Sequence, residues 1–234
     1  MRVCVVCEES QQVTKAFRAQ GHEAWSVDLQ PCSGGHPEWH LQMDCFEAIN
    51  QHGPWDLLIG FPPCDDLSAV GAPSWKQKQA DGRQQAAIEF VRRLYWAPVP
   101  RVCLENPQGR LTAAWMPPSQ EVHPFHFGDP WLKRTHLWLR NLPRLKHTNV
   151  VEPTAHYCTN SRRGGPRPGI GAPRLQLKKP VKRVAQGGAK SAKAKAKTFP
   201  GLAGAMAAQW GGPEAKLGTQ WRVDQLFRRA APIR

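Results

Sequence analysis

Short apolar runs separated by polar turns set the rhythm of the first hundred residues. Arg2 to Cys7 is a β-branched run that suits a buried strand, followed by a polar turn at Glu8-Glu9-Ser10. Val13, Ala16 and Phe17 then share one face of a helix over Gln11 to Gln20, with Gly21 as its stop. Glu23 to Val27 reads as a second strand with Asp28 at its end. Strand, short helix and strand make a βαβ unit, the start of a doubly wound, mostly parallel sheet. Pro31 to His40 reads as an irregular loop, and Cys45 to Asn50 as a short helix after Met43-Asp44. Leu57 to Ile59 is a buried strand that Gly60 ends. Pro62 and Pro63 forbid its continuation, because neither donates a ladder hydrogen bond. Ser68 to Gln79 is rich in small and polar residues and reads as an exposed loop. Gln84 to Tyr95 is amphipathic through Ala87, Ile88, Val91 and Leu94, and Arg101 to Leu104 is the next strand, with Glu105-Asn106-Pro107 at its end.

Beyond that point the alternation weakens. His136 to Arg140 reads as one more strand, ended by Leu142-Pro143. Ser161 to Arg174 is dominated by Pro, Gly and Arg and argues against packed structure, while Lys178 to Lys197 carries eight Lys/Arg and no acid, as a mobile segment would. Phe199 to Gln209 is helix-like, with Leu202, Ala203, Met206 and Ala207 on one face and Pro200 near its start. The expected organisation is an α/β catalytic-type domain over 1–145, a basic Pro/Gly-rich segment over 146–197, a helix over 198–212 that returns to the domain, and a basic tail over 213–234.

Charge sharpens this picture. The 234-residue chain carries a formal net charge of +14, which favours a polyanionic partner, most often nucleic acid. No apolar stretch approaches the roughly 20 residues of a membrane span. The opening Met-Arg-Val-Cys-Val-Val-Cys is too soon interrupted by Glu8-Glu9 for a secretory signal. Seven scattered cysteines without a signal read as reduced thiols of a cytoplasmic protein, and no Cys/His spacing makes a convincing metal site.

Chemistry gathers where the strands end. Ligands and reacting groups of open α/β sheets collect at the carboxyl ends of strands, and Cys64 stands just beyond one, on a proline-stiffened turn. Asp28, about 20 positions after the first turn, suits the ribose hydroxyls of a nucleotide-like ligand. The first turn lacks Gly-x-Gly-x-x-Gly, which points away from a pyrophosphate and towards a nucleoside without phosphates. S-adenosylmethionine is the commonest cofactor of that kind.

Taken together, the motifs resemble the C5-cytosine DNA methyltransferases, in particular their compact phage and prophage versions. The resemblance runs through the first strand and its acidic turn, Asp28, Asp44, Phe61-Pro62-Pro63-Cys64, Glu105-Asn106-Pro107, Lys133-Arg134-Thr135 and the closing helix from Phe199. It covers about residues 2–145 and 197–211, and its specific part is the Pro-Cys and Glu-Asn pair, each at a strand end. It implies a Rossmann-like fold of the S-adenosylmethionine-dependent methyltransferase type with a small, irregular basic insertion. It also implies a monomer working on DNA in a bacterial cytoplasm, for instance in restriction-modification.

Carried over by position, Cys64 is the nucleophile for cytosine C6, Glu105 the carboxyl group at N3 and the exocyclic amine, and Arg134 the cation at the flipped base or its phosphate. S-adenosylmethionine, or a derivative of it, would lie near Cys7, Glu8, Glu9 and Ser10. Asp28 would hold its ribose, Asp44 its adenine amine, and Phe61 and Pro62 the adenine surroundings. Lys133, Lys178, Lys179, Lys182 and Arg183 would neutralise DNA phosphates. The target base must be flipped out of the duplex, and the loop from Ser68 to Lys78, with Trp75, would close over it. The short basic insertion implies relaxed or very short sequence specificity.

Three departures accompany the resemblance. The family opening Phe-x-Gly-x-Gly is replaced by Cys7-Glu8-Glu9-Ser10, Gln-x-Arg-x-Arg by Lys133-Arg134-Thr135, and the cysteine is followed by Asp65-Asp66. Two carboxylates beside a required thiolate raise its pKa by like-charge repulsion, unless they face a cation, a metal or solvent. Two other functions therefore stand beside methyl transfer: transfer of another group, such as carboxymethyl, from a cofactor derivative, and a catalytically silent DNA-binding relative.

Overall fold

The computed structural model describes residues 1–157, 182–184 and 198–212. The first apolar run is strand β1 (Arg2–Val6), followed by helix α1 (Gln12–Arg18) and strand β2 (Glu23–Asp28). The stretch expected to be an irregular loop ends in a 3-10 turn at Pro37–Trp39 and a third strand, β3 (His40–Gln42). This strand escapes the apolar pattern because its three residues are short of hydrophobic side chains. It forms by continuing the ladder of β2, Ser26 pairing His40 and Asp28 pairing Gln42.

Helix α2 (Cys45–Gln51) and strand β4 (Leu57–Gly60) fall where the pattern places them. The loop expected after Ser68 instead contains a 3-10 turn, Ala69–Ser74, and helix α3 (Trp75–Ala80). Helix α4 (Arg83–Tyr95) leads to β5 (Arg101–Pro107), which runs three residues further than its apolar core because an antiparallel partner takes up its end. The remaining elements are α5 (Leu111–Ala114), β6 (Gln120–Val122), β7 (Trp131–Leu132), β8 (Thr135–Arg140), β9 (Ala155–Tyr157), β10 (Lys182–Val184) and α6 (Pro200–Trp210).

Seven strands form one sheet in the order β3-β2-β1-β4-β5-β8-β6. Pairings from β3 to β5 are parallel, and β8 is antiparallel to both neighbours. This α/β architecture is compatible with a Rossmann-like fold, and its strand order reverses direction between β1 and β4. A separate three-stranded sheet, β10-β9-β7, brings the 182–184 part of the basic segment beside β9. Lys182 and Arg183 thus lie in a strand, whereas Lys178, Lys179, the Ser161–Arg174 stretch and the basic tail lie outside the described residues.

Each sheet face carries its own core. Leu58, Val102, Leu104 and Trp138 pack with Ile88, Val91 and Leu94 of α4 on one face. Leu57, Ile59, Cys103 and Leu137 pack with Val13 and Phe17 of α1 and with Leu202, Met206 and Trp210 of α6 on the other. The last helix is therefore part of the domain. The Asp129 carboxylate accepts from Gly201 N–H at 2.8 Å at its start, and Trp210 Nε1 donates to the Pro143 carbonyl at 3.0 Å at its end. Among the described residues no helix is long and apolar enough to cross a membrane. Because Trp210 is fully buried, Trp210→Ala is expected to cost about 3–5 kcal/mol of stability, read as a lowered urea midpoint with the slope unchanged.

Candidate functional site

Parallel pairing of β4 with β5 sets Gly60 opposite Leu104, so the chain leaving β4 runs beside the last three residues of β5, which among the described residues only β8 pairs. One carries Cys64 and the other begins with Glu105. Pro62 and Pro63 have no N–H to donate, and the first segment is tied down from outside. Asn106 Nδ2 donates to the Pro62 carbonyl at 2.9 Å, a buried bond from the residue next to Glu105. Past the cysteine, Ala69 N–H donates to Gln108 O at 2.9 Å and Arg110 N–H to Leu67 O at 2.7 Å. Ser68 and Gly109 form an antiparallel bridge there. Position 109 admits only glycine in this packing, since a Cβ would stand 2.0 Å from the Leu67 carbonyl oxygen.

Lys133, Glu105 and Thr135 line one small pocket together with Thr198, Phe199 and Leu202 at the start of α6. Arg134 does not reach it. Its Nε lies 3.2 Å from Glu121 and its Nη1 donates to Gln108 at 2.9 Å. The period of two along the chain explains the division: Lys133 has the parity of Thr135 and Leu137, and Arg134 that of His136 on the opposite face. The cation that the structure gathers beside Glu105 is Lys133, which a phosphate-binding role alone did not anticipate.

Electrostatics at the site pull in opposite directions. Burial pushes the Cys64 thiol up to about 11, assisted by the negative charges of Glu105 and Asp65, while Lys133 opposes the shift. Burial likewise raises the Glu105 carboxyl, and Lys133 and His136 act against it. Free of any ligand, the site therefore holds Cys64 as a thiol at neutral pH and Glu105 as a carboxyl group inclined to keep a proton.

The Asp65-Asp66 pair divides in two. Asp66 faces a cation: its Oδ1 lies 3.0 Å from Lys78 Nζ, and the same ammonium donates to the Asp65 carbonyl. Gln84 Nε2 donates to the Asp66 carbonyl at 3.1 Å. These contacts fasten α3 and the start of α4 to the cysteine turn. Asp65 is exposed, and of the two it alone contributes to the rise of the thiol. Lys78 was not among the residues that the motif pattern singled out.

At the mouth of β1 the residues expected around a cofactor separate into two sets. Cys7, Asp28 and Asp44 converge, since Cys7 feels both carboxylates. Asp28 Oδ1 accepts from Gln30 N–H at 2.9 Å, and Asp44 Oδ1 caps α2 through the amides of Phe46 and Glu47. Cys7 shares a hydrogen bond with Cys45, which drives Cys7 up and Cys45 down from the usual thiol range.

Glu8 is buried and turned the other way. Its carboxylate accepts from the Val13 amide and, at 3.2 and 2.8 Å, from Thr14 N and Oγ1, occupying the N-terminus of α1. A phosphate would need those same amides. The donor set thus fits a ligand without phosphates, with Asp28 and the free oxygen of Asp44 as acceptors for hydroxyl and amine groups. The Glu9 carbonyl accepts from Ser33 N–H at 2.7 Å, and Ser10 is buried in the same turn. Phe61 packs on the α1 and α6 face and Pro62 is buried beneath it.

Burial raises the Glu8 carboxyl to about 7, against the lowering by its hydrogen bonds from Val13 and Thr14 and by Lys15. With a folded-state pKa above the unfolded one, the native state binds more protons between about pH 4.5 and 7, so stability falls as pH rises through that window. The cost at pH 8 is on the order of 3 kcal/mol. Urea midpoints of the wild type are expected to drop from pH 5 to pH 8, and Glu8→Gln is expected to flatten that dependence.

Compared with known proteins, the sequence matches no family model and no curated protein.

Proposed function

We propose that this protein transfers a one-carbon group from S-adenosylmethionine to C5 of a cytosine flipped out of DNA. The observation that carries the reading is the meeting of Cys64 and Glu105 at adjacent strand ends, with the charge of Lys133 reaching both. A carbon nucleophile is hard to make from cytosine, because C5 gains electron density only when another nucleophile adds at C6. A thiolate suits that addition, attacking readily and leaving readily. Cys64 would form the bond to C6, and Glu105, whose carboxyl is raised by burial, would bond N3 and supply a proton or partial positive charge there. When bound, S-adenosylmethionine supplies the electrophilic methyl group. Cys64 gives its proton to water before it attacks. After the transfer the C5 proton also passes to water, and its bonding pair re-forms the C5–C6 double bond as the C6–S bond breaks. Cys64 leaves as the thiolate, and N3 returns its proton to Glu105.

The raised thiol is the feature this chemistry must overcome. Lys133 is the group in place to do so: its charge lowers Cys64, and its Nζ lies 5.9 Å from the centre of the Phe199 ring. The net charge of +14 supports DNA as the partner. A resting pKa of about 11 favours one second reading, a DNA-binding relative in which the thiol is never activated.

Covalent trapping separates the two. With S-adenosylmethionine present, DNA containing 5-fluorocytosine is expected to cross-link to the wild type and not to Cys64→Ser, while nucleoside mass spectrometry of DNA from expressing cells identifies the group transferred. Absence of an adduct, or an equal adduct from Cys64→Ser, would leave only the binding reading. In the same assay Lys133→Gln is expected to slow adduct formation at saturating DNA by about tenfold or more, and Arg134→Gln by less than about threefold.

A further inference from the structure

The register of β8 with its two neighbours aligns three polar side chains that the chemistry above does not use. Asn106 pairs His136 across β5 and β8, and Glu121 pairs the same His136 across β6 and β8. Directly paired residues project to the same face, so Glu121, His136 and Asn106 form one row across three strands. The row lies on the face opposite Glu105 and ends at the cysteine turn. Glu121 Oε2 is 3.3 Å from His136 Nε2, and Asn106 Nδ2 is 2.9 Å from the Pro62 carbonyl.

Each member is held firmly. Burial acts to raise the Glu121 carboxyl, but hydrogen bonds from His123 and His136 and the charge of Arg134 outweigh it and keep the group well below the usual carboxylate range. An ionised Glu121 requires a hydrogen on His136 Nε2, which fixes the ring's orientation. That leaves Nδ1 on the side of the ring away from Glu121. His136 and Asn106 are 5% and 1% exposed, and His136 Nδ1 and Asn106 Oδ1 are both buried without a hydrogen-bond partner. Two such atoms on paired residues cost stability, and sites that persist at such a cost are commonly functional.

We propose that Glu121 and His136 are positioning residues that act through Asn106 to hold the Pro62–Cys64 turn against Glu105. This inference rests on the reading of Cys64 as the reacting thiol. The turn has few hydrogen bonds of its own upstream of the cysteine: Phe61 N–H donates to Val6 O at 3.1 Å, and the next two residues have no N–H to give. Asn106 supplies a side-chain bond at that place, and His136, its directly paired residue on β8, stands on the same face beside it. Loosening any member of the row frees the turn that carries the thiol while Glu105 and Lys133 keep their places.

Alkylation of Cys64 by iodoacetamide at fixed pH, followed by peptide mass spectrometry with Cys32 as the internal reference, reads this directly and needs neither DNA nor cofactor. Asn106→Ala and His136→Ala are each expected to change the Cys64 rate relative to Cys32 by about fivefold or more. His136→Gln, which keeps a donor toward Glu121, is expected to stay within about twofold of the wild type. Should an alanine variant fail to fold, Asn106→Ser and Glu121→Gln against Glu121→Ala give the same comparison. Rates within about twofold for every variant, or an equal change in His136→Gln, would overturn the positioning role. If the alkylation rates change as expected but the wild type forms no adduct with 5-fluorocytosine DNA, the row stands and the transfer reading falls. If the wild type traps DNA and the alkylation rates do not change, the row alone falls.

Discussion

Parallel pairing of β4 with β5 is the constraint on which the rest of the site depends. It aligns Gly60 with Leu104, and everything that follows from either strand starts at the same level of the sheet. The close approach there is possible because position 60 has no side chain: a Cβ would lie 2.8 Å from Leu104 Cδ2 and 3.1 Å from Val6 Cγ2. A buried parallel ladder is stiff, and its end is a fixed platform for flexible chemistry. From that platform the chain builds outward with bonds between the two exit segments, Asn106 to Pro62, Ala69 to Gln108 and Arg110 to Leu67, so the spacing between Cys64 and Glu105 is set by backbone rather than by long side chains.

Burial then sets the electrostatic character of what the platform carries. For Cys64, for Glu105 and for Glu8 the largest influence is loss of water, and each is moved toward its neutral form. Charges decide only the remainder. Asp66 is neutralised by Lys78 at 3.0 Å and spends its charge on fastening α3, which is why one carboxylate of the Asp65-Asp66 pair, and not both, bears on the thiol. Lys133 is the counterweight inside the pocket, while Arg134 is absorbed by Glu121 and Gln108 on the far face.

Much of this was legible in the order of residues. The apolar runs located β1, β2, β4 and β8 within a residue or so, and the Pro-Pro-Cys and Glu-Asn-Pro motifs marked the two strand ends that meet. Elements held by pairing alone were not legible. β3 has hardly any hydrophobic signal, and β6, β7 and β9 are two or three residues long, so only a neighbouring strand makes them strands. The division of labour between Lys133 and Arg134 was present as parity with Leu137 and His136, but using it requires knowing that the alternation of β8 extends back to residue 133. Lys78 and Glu121 carry no motif at all, and their importance comes from partners distant in the chain.

The first turn shows how a departure from a family pattern can be physically consistent. Glycine-rich turns let backbone amides approach a phosphate, and this turn has no glycine. Cys7 and Gln11 nonetheless take the left-handed conformation at φ 58° and 55°, which costs non-glycine residues on the order of 1–2 kcal/mol each. The cost is offset locally. Gln11 is buried with its amide bonded to Ser26 Oγ and to both the N–H and the carbonyl of His36, and Glu8 fills the amides at the start of α1. In this turn the Val13 and Thr14 amides at the start of α1, where a phosphate would bind, are already taken by the Glu8 carboxylate. What remains open at the strand ends is the acceptor pair Asp28 and Asp44 beside Cys7, a surface suited to the hydroxyls and amine of a nucleoside. The missing glycines are thus matched by a side chain that takes the amides of Val13 and Thr14, while Asp28 and Asp44 stay grouped around Cys7.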